Sequence, residues 1–226
     1  IILSFFPAKG IFMKITDACV YPFPLGDSSI RRFALEARSY GYDSIVAADT
    51  SAADISGVTV MPGLFLSGLP AKDIQSRAKK SRGTGMVVAV QLGDNGFNRA
   101  VAGTNGIHIL RGIHAADKRA FDHVAAKIAA DNNTALDIDL SVLIFGRGHL
   151  RQKAIHRYID LMILYRRFEF PLTLSSSAQS VLGLRAVREV TGLCSLFGMD
   201  ETDVQVALAG VGRVTEPGES IVKVIT

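Results

Sequence analysis

The chain has 226 residues, a formal net charge of +4, 48% apolar residues and 20% charged residues. At about 150 residues per domain this length suits one large α/β domain, and the composition excludes a disordered chain, a collagen-like repeat and a low-complexity protein. Two cysteines, Cys19 and Cys194, are too few for a disulfide scaffold.

The first residues, Ile1 to Phe6, are apolar but short, and Pro7, Lys9 and Gly10 interrupt them. No run reaches the ~18 apolar residues of a membrane-spanning helix, and no basic segment makes the start a secretory signal. Met13-Lys14-Ile15-Thr16 reads as a natural chain start. Residues 1–12 are therefore expected to form an extension outside the fold, the alternative being an added edge strand. Two cysteines and no export signal point to a cytoplasmic protein without a membrane partner.

From Ile15 the pattern is strand, helix, strand, repeated. Ile15 to Val20 reads as a first strand, closed by Tyr21-Pro22-Phe23-Pro24. Asp27 or Ser28 can cap a helix whose apolar stripe is Ile30, Phe33, Ala34 and Ala37, and Gly41 ends it. Asp43 to Asp49 is a short strand. Gly57 to Leu66 is another, with Pro62-Gly63 expected as a break or bulge. Pro70 to Arg82 is mostly helical. Gly85 to Leu92 is a strand apolar on both faces, as in a covered parallel sheet. A helix near Phe97 to Ala102 precedes the strand Gly106 to Leu110. The helix Phe121 to Ala130 precedes the strand Ala135 to Leu140. Arg151 to Arg167 is the longest helix, and Pro171 to Ser175 is the last clear strand. One helix is expected from Ser180 or Leu182 to Phe197, and a second from Glu201 to Ala209. Asp200 with Asp203 forms a capping-box variant there. Gly210 and Gly212 are expected to end the core, leaving residues 213–226 as a tail. The alternation over residues 13–212, with about seven mostly parallel strands, predicts a single α/β barrel or near-barrel; an open doubly wound sheet is the alternative.

Catalytic signatures are sparse. G-x-G-x-x-G after the first strand, G-x-x-x-x-G-K-[ST] and G-x-S-x-G are all missing. Gly146-Arg147-Gly148 and Gly210-Val211-Gly212 are lone fragments. Ser175-Ser176-Ser177 ends a strand, where barrel enzymes keep their chemistry, but small polar residues also suit a tight loop there. The five histidines form neither H-x-H nor H-E-x-x-H; His149 and His156 are seven apart. Asp137 and Asp139 alternate onto one strand face, which suits either a hard cation or arginine partners.

The cations carry more information. Arg77, Lys79, Lys80 and Arg82 fall within six residues. Arg147, Arg151 and Lys153 gather at the start of the longest helix, and Arg157 follows one turn later. Such clusters suit phosphate backbones, whereas the aromatic residues do not interleave with them and make no obvious stacking platform.

Residues 135–208 resemble the archaeal ribonuclease P protein component 3 family, the counterpart of the thirty-kilodalton eukaryotic subunit. The resemblance rests on an ordered series: ALDIDLSVL, GRGHLRQKAIHRY, YRRFEFPLTLSSSAQS and LGLRAVREVTGLCSLFGMDETDVQVAL. Ala37 to Ile45, ending GYDSI, fits more loosely. The resemblance implies a TIM-like (β/α) barrel related to polymerase-and-histidinol-phosphatase barrels. Those enzymes hold metal with histidines on the first strand, and Thr16-Asp17-Ala18-Cys19-Val20 contains none. It further implies a non-catalytic subunit of a holoenzyme that removes the 5′ leader of precursor tRNA. The RNA of that holoenzyme performs the cleavage and requires Mg2+. Ribonuclease P RNA, precursor tRNA and component 2 are the implied partners, component 2 directly, with components 1 and 4 in the same assembly. Lys79, Lys80, Arg82, Arg147, Arg151, Lys153 and Arg157 are the expected RNA-binding residues, with Ser176 and Arg185 expected to line the same face. No catalytic or metal-ligating residue and no bound cofactor is expected of this chain.

Two rivals differ in class. A stand-alone metal-dependent phosphoesterase needs Asp17, Asp49, Asp137, Asp139 or a histidine to converge. A DNA-binding module would use the helix-turn-helix cadence of GLCSLFGMDETDVQVAL, but Glu201 to Ala209 carries no Arg or Lys.

Overall fold

Short runs of small and β-branched residues build the centre of the molecule, which a computed structural model describes over residues 14–215. The parallel strands are β1 (Thr16–Val20), β2 (Ser44–Ala48), β4 (Val58–Leu66), β5 (Val87–Gln91), β6 (Ile109–Arg111), β7 (Ala135–Asp139) and β8 (Leu172–Ser175); a short antiparallel strand, β3 (Ala53–Ile55), precedes β4. The parallel strands hydrogen-bond in that order. A single parallel bridge, Val20 to Ala178, brings the two ends of the sheet together. The result is a nearly closed barrel of seven parallel strands ringed by helices, as expected, and the open doubly wound sheet is excluded.

Alternation along the strands divides two apolar layers. Ala18, Val46, Val87, Ala89, Ile109 and Ala135 fill the interior with Met61 and Phe65. Their neighbours Val88, Val90, Leu110, Leu136 and Ile138 face the helices. The helices are α1 (Ile30–Ser39), α2 (Ala71–Lys80), α3 (Asn95–Ala102), α4 (His123–Asp131), α5 (Ser141–Ile144), α6 (His149–Phe168), α7 (Val187–Cys194), α8 (Glu201–Leu208) and α9 (Gly210–Thr215).

Local chemistry accounts for the boundaries. On α1, Phe33, Ala34 and Ala37 form the buried stripe that the spacing predicts. Its cap is Ser29, whose Oγ accepts from the Arg32 amide, one residue later than expected. Gly41, at φ 92°, supplies the left-handed residue after that helix. Asp200 accepts from the Asp203 amide at 2.8 Å, and Asp203 accepts from the Asp200 amide at 3.2 Å. This reciprocal pair starts α8 as expected.

Four expectations change. Pro62-Gly63 does not break β4: the register to β2 runs unshifted from Ser44–Thr59 to Ala48–Gly63. On the other edge, residues 58–60 pair with β3 and residues 63–66 with β5, so Pro62 falls where no donor is needed. The hairpin strand β3 is itself absent from the expected set; its Ser56-Gly57 turn has both φ positive.

The helix expected from Ser180 or Leu182 to Phe197 is interrupted. Only Val181–Gly183 and Ser195–Phe197 coil as short 3-10 turns around α7. Leu184 and Ala186 are extended because the backbone here serves other partners. Tyr42 donates its hydroxyl to the Arg185 carbonyl, and the Val187 amide donates to the Tyr40 carbonyl.

Gly210 and Gly212 do not end the helical region. They belong to α9, which runs past residue 212 to Thr215. Val211 and Val214 of α9 join the interior cluster, so this helix plugs the end of the barrel where the strands begin. A Cβ on Gly210 would stand 1.9 Å from the Leu172 carbonyl oxygen, which is why only glycine permits this approach. The extension expected over residues 1–12, and residues 216–226 of the expected tail, lie outside the described residues.

Candidate functional site

In a parallel barrel the loops that follow the strands gather at one end, the mouth, where ligands and chemistry are usually found. Here the mouth holds a buried ionic knot around Arg111, the last residue of β6. Its Nε donates to Asp137 Oδ2 at 3.0 Å, its Nη1 to the Tyr21 hydroxyl at 3.0 Å and its Nη2 to Ser177 Oγ at 2.6 Å. Asp139 Oδ2 lies 3.8 Å from Nη2. The guanidinium also sits over the Phe65 ring at 5.0 Å. Asp137 is saturated as well: Thr173 donates to Oδ1 and Ser175 to Oδ2.

Burial pushes the Asp137 carboxyl above its ordinary range, and the Arg111 charge works in the opposite direction. Burial also disfavours the charge on Arg111, but the surrounding groups, Asp137 and Asp139 among them, outweigh it and hold the guanidinium firmly protonated. Cys19 is no nucleophile here, because burial pushes its thiol up to about 12. His114 pairs with the Tyr158 hydroxyl at 3.3 Å, and burial lowers its proton affinity.

Asp17 lies under the loop after β8. Its Oδ1 accepts from the amides of Cys19 at 3.1 Å and Ser176 at 3.0 Å, while Oδ2 is buried without a partner. Burial pushes this carboxyl up to about 6, against the pull of those hydrogen bonds. Asp49 is exposed at the end of β2. Among the described residues, no three His, Cys, Asp or Glu side chains are placed to share a metal ion. The carboxylates thus meet an arginine, one of the two readings open for Asp137 and Asp139.

The expected RNA-binding residues separate into three kinds. Lys79, Lys80 and Arg82 are exposed at the C-terminal end of α2, and Arg82 donates to the Asn105 carbonyl. Because α2 returns from the end of β4 to the start of β5, this cluster lies at the end away from the mouth. Arg147, Arg151 and Lys153 are exposed where α6 begins, at the mouth. The two clusters therefore occupy opposite ends of the barrel.

Arg185 is half-buried and donates Nη1 to the carbonyls of Leu182 and Leu184. It lines a cleft of about 390 Å³ with Arg151 and Glu189.

Arg157 and Ser176 depart from expectation. Arg157 is only 8% exposed, because its position on α6 turns it inward beside Ala154, Tyr158 and Leu161. It donates to the Asp117 carbonyl at 3.0 Å and pairs with Asp160 at 3.4 Å. Ser176 is buried; its amide serves Asp17, and its hydroxyl accepts from the Ala178 amide. Both side chains are largely engaged within the fold, although Arg157 keeps an edge in a cleft that Lys118 and Asp160 also line. Arg111 and Tyr21, which organise the mouth, were given no role by the sequence. The available signal was an arginine two residues after Ile109 on a strand whose odd positions face the interior.

A family model described as RNase P subunit p30 matches residues 14–218. Ribonuclease P protein component 3 of Haloarcula marismortui is 30% identical, over 87% of this chain and 88% of that protein. The same component of Methanococcoides burtonii is 29% identical, over 85% and 83%. Among solved structures, a chain of archaeal ribonuclease P with mature tRNA matches with a TM-score of 0.74 at 14% identity, covering 88% of this chain and 89% of that one. A Xaa-Pro dipeptidase matches with a TM-score of 0.54 at 10% identity, covering 91% and 78%. At these identities the structural matches speak for the barrel fold alone.

Proposed function

The chain belongs to the ribonuclease P subunit p30 family, and from that premise we propose how it serves the enzyme. It is a non-catalytic protein subunit of ribonuclease P; the RNA carries out removal of the 5′ leader from precursor tRNA. The contribution of this chain is electrostatic. Lys79, Lys80 and Arg82 at one end, and Arg147, Arg151 and Lys153 at the other, neutralise RNA phosphates and release counterions. Contacts of this kind position an RNA without reading its sequence. Arg185, beside Arg151 in the cleft at the mouth, is the next candidate contact. The supporting observation is that all six exposed cations lack a salt bridge among the described residues.

Component 2 is the direct protein partner in this reading, components 1 and 4 join the same particle, and the assembly works in the cytoplasm. Mg2+ belongs to the RNA. The mouth of this barrel offers it no cluster of ligands among the described residues, since Asp137 is already saturated by Arg111, Thr173 and Ser175. That saturation also counts against the phosphoesterase reading.

The test is reconstitution of ribonuclease P RNA with component 2, with and without this chain. Precursor tRNA cleavage at moderate Mg2+ is expected to rise on addition of the chain. Equal cleavage in both mixtures overturns the reading.

A further inference from the structure

We propose that a polar cleft at the base of the barrel, beside Arg82, holds a single unpaired nucleotide, with the base in the cleft and the phosphate on the guanidinium. The proposal rests on reading the cations at the end of α2 as an RNA contact, and it adds a pocket for the base itself. The cleft has a volume of about 360 Å³, at the small end of the ~300–1,000 Å³ of ligand sites. It lies between the loop before β6, the loop before β7 and the end of α9, and Asn105, His108, Asn132 and Asn133 line it. Parallel barrels as a rule bind ligands at the other end; the chemistry of the walls sets this base apart.

The walls are tied down and still carry spare hydrogen-bonding capacity. The Val88 amide donates to His108 Nδ1 at 2.9 Å. Nδ1 is thus the acceptor of a neutral ring, which leaves Nε2 as a donor. Burial, which disfavours the charged ring, favours the same state. Asn133 donates Nδ2 to the Arg213 carbonyl at 2.9 Å, and Asn132 donates Nδ2 to the Ile128 carbonyl at 2.8 Å. These bonds fasten the loop before β7 to α9 and α4. Among the described residues no group donates to Oδ1 of Asn132 or Asn133, and the Asn105 carboxamide has neither donor nor acceptor engaged. Ile107 and Val214 add apolar surface for the face of a ring.

A carboxamide, with donor and acceptor side by side, matches the edge of a nucleobase, adenine above all. In an RNA duplex the base edges are paired or recessed in a narrow groove, so only an unpaired base enters such a cleft. Charge selects the nucleotide over other polar ligands. Arg82 donates Nη2 to the Asn105 carbonyl at 2.7 Å, and a Cβ on Gly106 would stand 3.2 Å from its Nε. The guanidinium is thereby held on the lip of the cleft. Asp131, which precedes the two asparagines, is engaged with Lys127 at 3.3 Å. A neutral sugar or peptide would use the amides and leave the guanidinium idle, and a bare phosphate would do the reverse. A nucleotide uses both.

The probes are a short oligoadenylate, an RNA duplex and free AMP. Each is titrated against the full chain, because residues 216–226 continue from Thr215 at the edge of the cleft. Oligoadenylate is expected to shift the ring resonances of His108, and the duplex is expected to leave them in place. Asn105→Ala combined with Asn132→Ala should weaken oligoadenylate binding at least about tenfold, the scale of a lost base contact, with duplex affinity changed by less than about twofold. No charge is removed, so the salt slope should stay that of the unaltered chain, whereas Arg82→Ala should lower it. AMP bound as tightly as oligoadenylate supports the proposal with a free nucleotide as the source; tighter oligoadenylate supports it with RNA as the source. Asparagine variants that bind oligoadenylate like the unaltered chain overturn the proposal and leave the cations as plain backbone contacts. His108 resonances that move with neither oligoadenylate nor AMP overturn it as well, whether or not the variants fold. These titrations contain no other component of the enzyme, so their failure is distinct from a failure to stimulate precursor tRNA cleavage, which falls on the function above.

Discussion

Arg111 Nε stands 3.0 Å from Asp137 Oδ2, joining the ends of β6 and β7 inside the barrel mouth. Both side chains are almost wholly removed from water, at 10% and 0% exposure. Such a pair contributes little net stability compared with apolar packing, but each member is costly to leave alone.

Replacing Arg111 by Met should therefore destabilise the protein by about 3–5 kcal/mol, because Asp137 keeps its burial and loses its counter-charge. Urea unfolding measures this directly. The double variant Arg111→Met, Asp137→Asn should lose less than the sum of the two single changes. Additive losses would mean that the two residues act separately.

Asp17 predicts a pH dependence. Its carboxyl is raised from 3.8 to about 6 by burial, so the folded chain binds this proton more tightly than the unfolded chain does. The associated stability is fully present below about pH 4 and is lost as pH rises through 6, a difference of about 3 kcal/mol. Asn at this position keeps an oxygen for the amides of Cys19 and Ser176 and removes the charge. Asp17→Asn should be the more stable protein at pH 7.5, and its advantage should shrink steadily toward pH 4. An advantage independent of pH would show that the charge is not responsible.

The exposed cations predict a salt signature. Alanine at Arg147, Arg151 and Lys153 should weaken RNA binding and reduce the slope of log affinity against log salt by about 0.7–0.9 for each phosphate no longer neutralised. Alanine at Lys79, Lys80 and Arg82 should do the same, and the two effects should add, because the clusters share no partner. Arg157→Ala should behave differently, lowering the melting temperature while leaving the salt slope of the folded protein alone.

Gly210→Ala tests the plug. Its methyl would meet the Leu172 carbonyl at 1.9 Å, so α9 must move off β8 and withdraw Val211 and Val214 from the interior. A loss of at least about 2 kcal/mol is expected, in the range of other backbone-strain substitutions. Gly212→Ala, with open space at its Cβ, is the control and should be close to neutral.

Much of the scaffold was legible because its signals are local. Phe33, Ala34 and Ala37 announce their helix by spacing, and Asp200 with Asp203 announces a helix start by chemistry. The barrel followed from strands that alternate with helices. Arg157 carried a local signal too: Ala154, Arg157, Tyr158 and Leu161 share the buried face of α6. The surrounding charge run concealed it. The Arg111 knot was not legible in that way. Its partners lie 26, 66 and 90 residues away, and only closure of the barrel brings Asp137, Ser177 and Tyr21 to one guanidinium. The interruption within residues 180–197 was hidden for the same reason, since the backbone of Arg185 and Val187 is claimed by Tyr42 and Tyr40 from a distant loop.

The placement of the two cation clusters has a mechanical consequence. Between them stands a barrel about as tall as the ~15 Å that the ten residues of α2 rise, packed inside and out and therefore hard to compress. An RNA segment seated at the mouth leaves the far end bare, so engagement of both ends requires two segments or one that wraps around the side. If both clusters hold RNA as proposed, the protein serves as a strut that sets the gap between the two stretches it holds. A loosened interior would then be felt as a change in that gap while both segments are still held.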